Sequence, residues 1–397
     1  MTARLAFGLL AYAFAAIMLG TTMPTPMYAI YGQQMHFSVL TTTVVYAAYA
    51  GGVLFALLAF GRWSDAIGRR PLLLGGVAAA LLSASVFLVA DSVPLLLVGR
   101  VLSGLSAGVF TGTATAAVIE AAPQRWRDRA AAVATIANIG GLGAGPVVAG
   151  LLVQYAPHPL QLSFIVHIVL AAVAGVAVLL APETSPRAGR ISVQRLSVPA
   201  EVRSVFIVAS LAGFAGFAVT GLFAAVAPSF VVDVVGIGNN ALAGAIAGSI
   251  FLASALTQVA TNRMAPQRAV AIGCAILVAG MVILAVALQL SSLTGLIASA
   301  VVSGIGQGMS FSRGLAAISE RTPADRRAEV TSTYFVIGYV AISLPVIGEG
   351  LVAREWGLRT AGVSFAVAVA ILALACLIAI VARERRSPAT VGRTSSA

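Results

Sequence analysis

Apolar stretches long enough to cross a membrane alternate along this chain with short polar breaks, most of which carry arginine. No Asp, Glu, Lys or Arg occurs between Arg4 and Arg62, between Arg129 and Glu183, or between Arg268 and Arg313. One crossing takes roughly 20 residues, so each of these stretches holds two. Each also has a turn near its middle: Gln33-Gln34-Met35-His36, Pro157-His158-Pro159 and Gln289-Leu290-Ser291-Ser292. Lipid cannot satisfy free backbone polar groups, and the alternation of a membrane barrel is absent, so the spans are predicted as helices. Twelve are expected, at 5–31, 38–60, 71–90, 94–121, 129–153, 162–182, 204–232, 240–262, 269–289, 293–319, 328–352 and 360–382. The first is too long for the apolar region of a cleaved secretory signal and reads as a retained helix.

Composition agrees with that pattern. Apolar residues make up 59% of the 397 positions and charged residues 9%, where a soluble protein would carry about 25% charged residues to solvate its surface. The expected class is an all-α membrane protein. All 24 basic residues are arginine, and 20 of them fall in alternate loops or at the two ends, against Arg354 and Arg359 on the other side. The positive-inside rule makes the arginine-rich side cytoplasmic, with both termini inside and the protein in a bacterial inner membrane. Only Arg100 and Arg313 are left within spans. The net charge of +11 therefore reports topology, and no nucleic-acid partner is expected. Cys274 and Cys376 both fall inside predicted helices, which argues for neither a disulfide nor a metal site.

The chain repeats at an offset of 200 residues. Ser103, Gly104, Gly108, Glu120, Pro123, Arg127 and Gly150 match Ser303, Gly304, Gly308, Glu320, Pro323, Arg327 and Gly350. Pro146 and Pro345 miss the offset by one position, and Pro26 and Pro228 bear a similar relation. An offset that preserves orientation means parallel repeats, which in transporters bind substrate between halves that rock. The expected organisation is a six-helix bundle at 1–182, a polar Arg- and Pro-containing cytoplasmic linker at 183–203, a second bundle at 204–382 and a tail at 383–397. Two related halves forming a static bundle remain the plainer alternative.

Three motifs narrow the reading. The loop after the second helix runs Gly61-Arg62-Trp63-Ser64-Asp65-Ala66-Ile67-Gly68-Arg69-Arg70-Pro71. In the fourth helix, Arg100 stands four residues before Gly104. The fifth carries Gly141-Leu142-Gly143-Ala144-Gly145-Pro146-Val147-Val148-Ala149-Gly150. Together these resemble the signature loop, the fourth-helix arginine motif and the fifth-helix antiporter motif of the major facilitator superfamily, in particular its twelve-helix drug–proton antiporters. The resemblance covers essentially the whole chain and implies the major facilitator fold of two pseudo-symmetric six-helix bundles. It implies a conformational latch of Gly61, Asp65, Gly68, Arg69, Arg70 and Glu120, with Asp65 at the start of the eleventh helix near Glu329-Val330-Thr331 and Arg69 on Glu120. It also implies a role for Arg100 in proton coupling, and sealing or bending at the fifth-helix motif residues Gly141, Gly145, Pro146 and Gly150. The equivalent loop of the second half, Thr261 to Arg268, lacks the aspartate and the glycines.

A proton-driven carrier needs an ionisable group whose proton affinity changes between states. The first helix has no acid, unlike many drug–proton antiporters, which weakens the case for a cationic-drug site of the familiar type. The coupling candidates are Arg100, Asp233 and Glu349, with His167 more simply a core residue. Candidate cavity residues are Tyr28, Phe110, Phe223, Phe311, Arg313, Tyr334 and Tyr339. The leading expectation is a monomeric, proton-coupled exporter of a small amphipathic drug or metabolite, of the multidrug-resistance kind. Its partners would be the small-molecule substrate, protons and the lipid bilayer, with the proton gradient as energy source and no cofactor. A proton symporter importing a sugar, organic acid or other nutrient is the alternative within the class. A non-transporting membrane sensor is the alternative outside it. No nucleophile or acid–base constellation points to an enzyme.

Overall fold

The computed structural model describes residues 2–189 and 191–386, so the expected tail at 383–397 lies outside the described residues from 387 onward. Among the described residues the regular structure is entirely helical. Twelve helices are long and apolar enough to cross a membrane: α1 (Ala3–Gln34), α2 (Val39–Phe60), α3 (Arg69–Leu88), α4 (Val93–Glu120), α5 (Gln124–Tyr155), α6 (Leu162–Leu180), α7 (Ala200–Ala225), α8 (Asn240–Ala260), α9 (Pro266–Gln289), α10 (Leu293–Arg321), α11 (Arg327–Trp356) and α12 (Leu358–Arg383). Side-chain oxygens start several of them. Thr2, Asn239 and Ser292 accept from the amides of Leu5, Leu242 and Gly295 and so satisfy donors that the first helical turn leaves free. Large apolar side chains such as Val173, Leu180, Leu256, Val282 and Ile371 are exposed on the outside, a surface suited to lipid.

Three helices depart from the predicted spans. α1 is interrupted after Thr22, where Pro24 and Pro26 lack amide donors, and a 3₁₀ turn at Thr25–Met27 joins it to a last segment, Tyr28–Gln34. α7 breaks at the equivalent place. It ends at Ala225, and the chain continues through Ala227–Ser229, which contains Pro228, and a π-helical turn at Phe230–Val234. α5 begins about one turn earlier than predicted and carries a π-helical turn at Ile136–Gly140. Pro146 cannot bond the carbonyl four residues back, and the Thr22 hydroxyl of α1 donates to that carbonyl, Leu142 O, at 2.7 Å. Sequence thus sets both the bend and its partner.

The 200-residue repeat is visible as repeated packing. Gly104 and Gly108 of α4 lie against Tyr49, Val53 and Ala56 of α2, and Gly304 and Gly308 of α10 lie against Ile250, Ala253 and Ser254 of α8. A second pair of equivalent contacts joins the halves. Gly150 of α5 meets Asn240, Ala241 and Gly244 of α8, and Gly350 of α11 meets Leu40 and Thr43 of α2. Small residues let these backbones approach closely where no side chain would fit. Both seams lie toward the face opposite the arginine-rich loops.

Candidate functional site

A cavity of about 410 Å³ lies between the halves. Its walls come from α1, α2, α4 and α5 of the first half and α7, α8, α10 and α11 of the second. Toward the arginine-rich face its lining includes Gly112, which is exposed and has open space where a side chain would be, and the partly exposed Thr115, Leu315 and Thr331. Beyond its other end, Met23, Met27, Tyr28, Tyr31, Ala227 and Phe230 are all at most 1% exposed and belong to one packed core. The cavity is therefore open to the arginine-rich face and blind at the other. The seam contacts explain the closure: Gly143 and Pro146 of α5 pack on Gly248 and Gly244 of α8, and Gln154 accepts from the Asn240 amide at 2.8 Å.

Arg100 is the one charged residue lining the cavity among the described residues and is 1% exposed. It lies seven residues into α4, and Thr115 at the open end is 15 residues further on, about 22 Å along the helix axis. Its guanidinium does not reach the surface. It sits over the rings of Tyr28, Tyr46 and Tyr49, 5.6, 5.5 and 5.2 Å from their centroids. One amino group donates to the Thr21 carbonyl at 2.7 Å, and the Nε has no hydrogen-bond partner. Among the described residues no carboxylate forms an ion pair with it. An arginine within a span costs up to roughly 2.5–3.5 kcal/mol on insertion scales, and cation–π contacts offset part of that. Further toward the open end the second half lines the cavity with neutral polar groups: the Ser254 hydroxyl bonds Gln307, and Gln258 donates to Ser254 at 3.1 Å.

The expected cavity residues separate clearly. Phe311 and Tyr339 line the cavity, and Tyr28 stands behind Arg100. Phe110 does not line it: Thr111 and Gly112 take the cavity face of α4, and Phe110 points back against Phe14 and Gly76. Phe223 belongs to the closed core at the blind end. Tyr334 is held between α7 and α10 by its hydroxyl, which donates to Phe311 O at 3.2 Å. Arg313 leaves the cavity because its guanidinium bonds the Asn262 carbonyl at 2.6 Å, tying α10 to the loop after α8. Sequence reasoning missed Tyr46, Tyr49, Asn138, Phe217, Phe251, Gln307 and Phe335. Glycine contacts along α4 carry the signal for the first two, since the helix that packs on Gly104 must present its tyrosines beside Arg100.

Of the other coupling candidates, Glu349 is 3% exposed, and neither carboxyl oxygen has a partner among the described residues. Asp233 is exposed in the turn after α7 and lies outside the cavity lining. His167 fills the space left by Gly20 of α1, where any added side chain would overlap its ring. Cys274 and Cys376 are buried thiols that pack in one cluster with Ala212 and Val270.

The Gly61–Pro71 loop forms a charged cluster at the arginine-rich face. Arg69 is 2.6 Å from Asp65 and 3.0 Å from Glu120, and the Thr184 hydroxyl donates to Glu120 at 2.6 Å. Asp65 does not meet the start of α11, as the resemblance implied. The linker stands between them: Gly189 N–H donates to Asp65 O, Gln194 N–H to Leu58 O of α2, and Ser197 N–H to the Thr333 hydroxyl of α11. With the seams closed at the opposite face, the halves are spread here, and Glu329 pairs with Arg326 of its own segment. Gly68 has φ +112°, a conformation side chains resist, and Arg187 and Glu183 occupy the space beside it.

In the sequence Glu183 marks only the start of the linker. Its carboxylate accepts from the amides of Arg69 at 2.8 Å and Arg70 at 3.2 Å, the free donors that begin α3. Partial burial pushes this carboxyl upward, but the Ser185, Arg69 and Arg70 amides and the Arg187 guanidinium outweigh burial and hold it below the usual carboxylate range. Its contribution is thus fully present above its ordinary value of 4.5 and is lost as pH falls through the lowered one. Glu183→Gln is expected to cost about 0.5–1 kcal/mol at pH 7. Thermal unfolding of the two proteins in detergent, followed from pH 7 downward, should show a gap that narrows as the pH falls below 4.5.

Two symmetric helix bundles around a cavity open to one face are the architecture of a membrane transporter. A sequence profile of the Major Facilitator Superfamily matches residues 5–344, and the chain belongs to that family. It is 34% identical over 135 residues to the tetracycline resistance protein, class D, of Salmonella ordonez, a stretch covering 30% of this chain and 32% of that one. It is 35% identical over 102 residues to the class E protein of Escherichia coli, covering 26% and 25%. The chain thus spans about a third or less of the length of these relatives. Among solved structures it is similar to the human organic anion transporter MFSD10 (TETRAN), with TM-score 0.62, 16% identity and coverage of 96% and 100%. It is also similar to a bacterial homologue of the human lysosomal transporter Spinster in an inward-facing, unoccupied conformation, with TM-score 0.71, 15% identity and coverage of 98% and 99%. At those identities the two structures show the fold.

Proposed function

We propose that this protein is a proton-coupled exporter in a bacterial inner membrane, taking small amphipathic molecules from the cytoplasm and releasing them outside. The observation that carries the reading is the cavity itself: mostly apolar walls, a few polar groups, an opening at the arginine-rich face and two glycine-tight seams closing the other. The positive-inside rule makes that opening cytoplasmic, the side from which an exporter loads. The partial likeness to tetracycline resistance proteins and the fifth-helix motif both favour export over import.

Proteoliposomes or inside-out vesicles with an imposed pH gradient test this. A panel of amphipathic solutes, tetracycline included, should give movement opposite to the proton flow and none without the gradient. Movement in the same direction as protons would overturn the exporter reading and establish a symporter.

A further inference from the structure

We propose that Arg100 and its three tyrosines form the recognition site for the anionic group of the cargo, so that the substrates are small organic anions with an apolar, aromatic-compatible body. This names the substrate class of the carrier proposed above and rests on that reading. Four observations converge on it. Arg100 is buried at the blind end of the cavity, where a molecule entering from the arginine-rich face comes to rest. Its positive charge has no carboxylate partner among the described residues, and its Nε is an unpaired buried donor. Among the described residues no other lining residue carries charge, so none of them would repel an anion or attract a cation.

The fourth observation concerns the walls. Tyr28, Tyr46 and Tyr49 offer ring faces to the guanidinium, which hold the cation in place and keep water from it but supply no compensating charge. A carboxylate or enolate laid against the free edge of the guanidinium supplies that charge through short, charge-assisted hydrogen bonds. Toward the open end, Phe217, Phe251, Phe311 and Phe335 give the body of such a molecule an apolar slot. Asn138, lining the same cavity one turn from Leu142, has a buried amide oxygen with no partner, an acceptor for a cargo hydroxyl or N–H. A cationic solute would instead face a like charge where solvent screening is weak.

Binding to the purified full chain in lipid nanodiscs tests this without a gradient, using 2-naphthoate, its methyl ester and 2-naphthylmethylamine, with empty nanodiscs as blank. The wild-type protein should bind naphthoate at least about tenfold more tightly than the ester, with the amine weakest. Arg100→Gln should bring the anion-to-ester ratio to about one, and Arg100→Lys should keep part of the preference. Thr21→Asp sets a competing carboxylate beside the guanidinium and should also erase the preference with Arg100 intact, so it decides the matter if Arg100→Gln does not fold. A ratio near one in the wild type, tightest binding of the amine, or an unchanged ratio in Arg100→Gln would overturn the proposal. Transport with no anion preference in binding sinks this site alone. Anion-selective binding with no proton-driven movement sinks the exporter reading and leaves the site.

Discussion

Gly244→Leu should arrest transport while leaving the protein inserted and folded. Gly244 faces the Pro146 carbonyl and Gly150 across the seam between α8 and α5, and an added Cβ would come within 3.0 Å of the carbonyl carbon of Pro146. Leucine cannot fit there, so the helices must part at the face the structure shows closed. Overpacked contacts cost about 1–3 kcal/mol, enough to move a two-state equilibrium about 5- to 150-fold. The variant is expected to favour the outward-open state and to lose at least about 90% of its transport rate. The symmetric seam supplies an internal control. Gly350→Leu meets Thr43 and Leu40 and should behave alike, whereas Gly348, two positions away with nothing within 4 Å, should accept leucine with little effect. Equal loss in all three variants would point to a folding defect and refute the seam argument.

On the proton-coupled reading proposed above, Glu349→Gln should uncouple the carrier. Glu349 directly precedes Gly350, the residue that meets α2, and one turn before it Val346 packs on Gly221 of α7. Its carboxyl is buried in the closed outer face without partners among the described residues, and opening of that face is expected to bring it to water. A proton exchanged in one state and carried in the other is what coupling requires. With glutamine there, solute accumulation against a gradient should fall to a ratio of about one, while exchange of labelled for unlabelled solute continues. Uphill accumulation at the wild-type level in Glu349→Gln would remove this residue from the mechanism.

Much of the fold was legible because lipid leaves few choices. Charge-free stretches such as Arg4 to Arg62 must be helices, and alternate arginine-bearing loops give them a common side. The close contacts were legible too, since Gly104, Gly150, Gly350 and Pro146 are residues a tight or bent helix pair needs. Helical phase was not. In a helix that is apolar on every side, hydropathy cannot say whether Phe110 or its neighbour Thr111 faces the cavity, and the aromatic guess chose the wrong one of the two. Arg313 was misplaced for a related reason, because its partner is a backbone carbonyl that no side-chain pattern announces. The Glu183 cap joins residues 114 positions apart and needs the folded loop to be seen. The Asp65 contact depends on which face is open, a property of one conformation and not of a sequence.

A cavity open to one side at a time makes a definite forecast for cysteine accessibility at Gly112. Gly112 is exposed in the open half of the cavity with room for a side chain, and the native Cys274 and Cys376 are buried and should react little. In Gly112→Cys, a membrane-impermeant maleimide should label inside-out vesicles at least about tenfold faster than right-side-out ones, and adding Gly244→Leu, which favours closure of that mouth, should slow the inside-out labelling by a similar factor. Equal labelling from both sides with the seam unmodified, as in a pore, or faster labelling from the outside, would show that the cavity is not open to the cytoplasm alone.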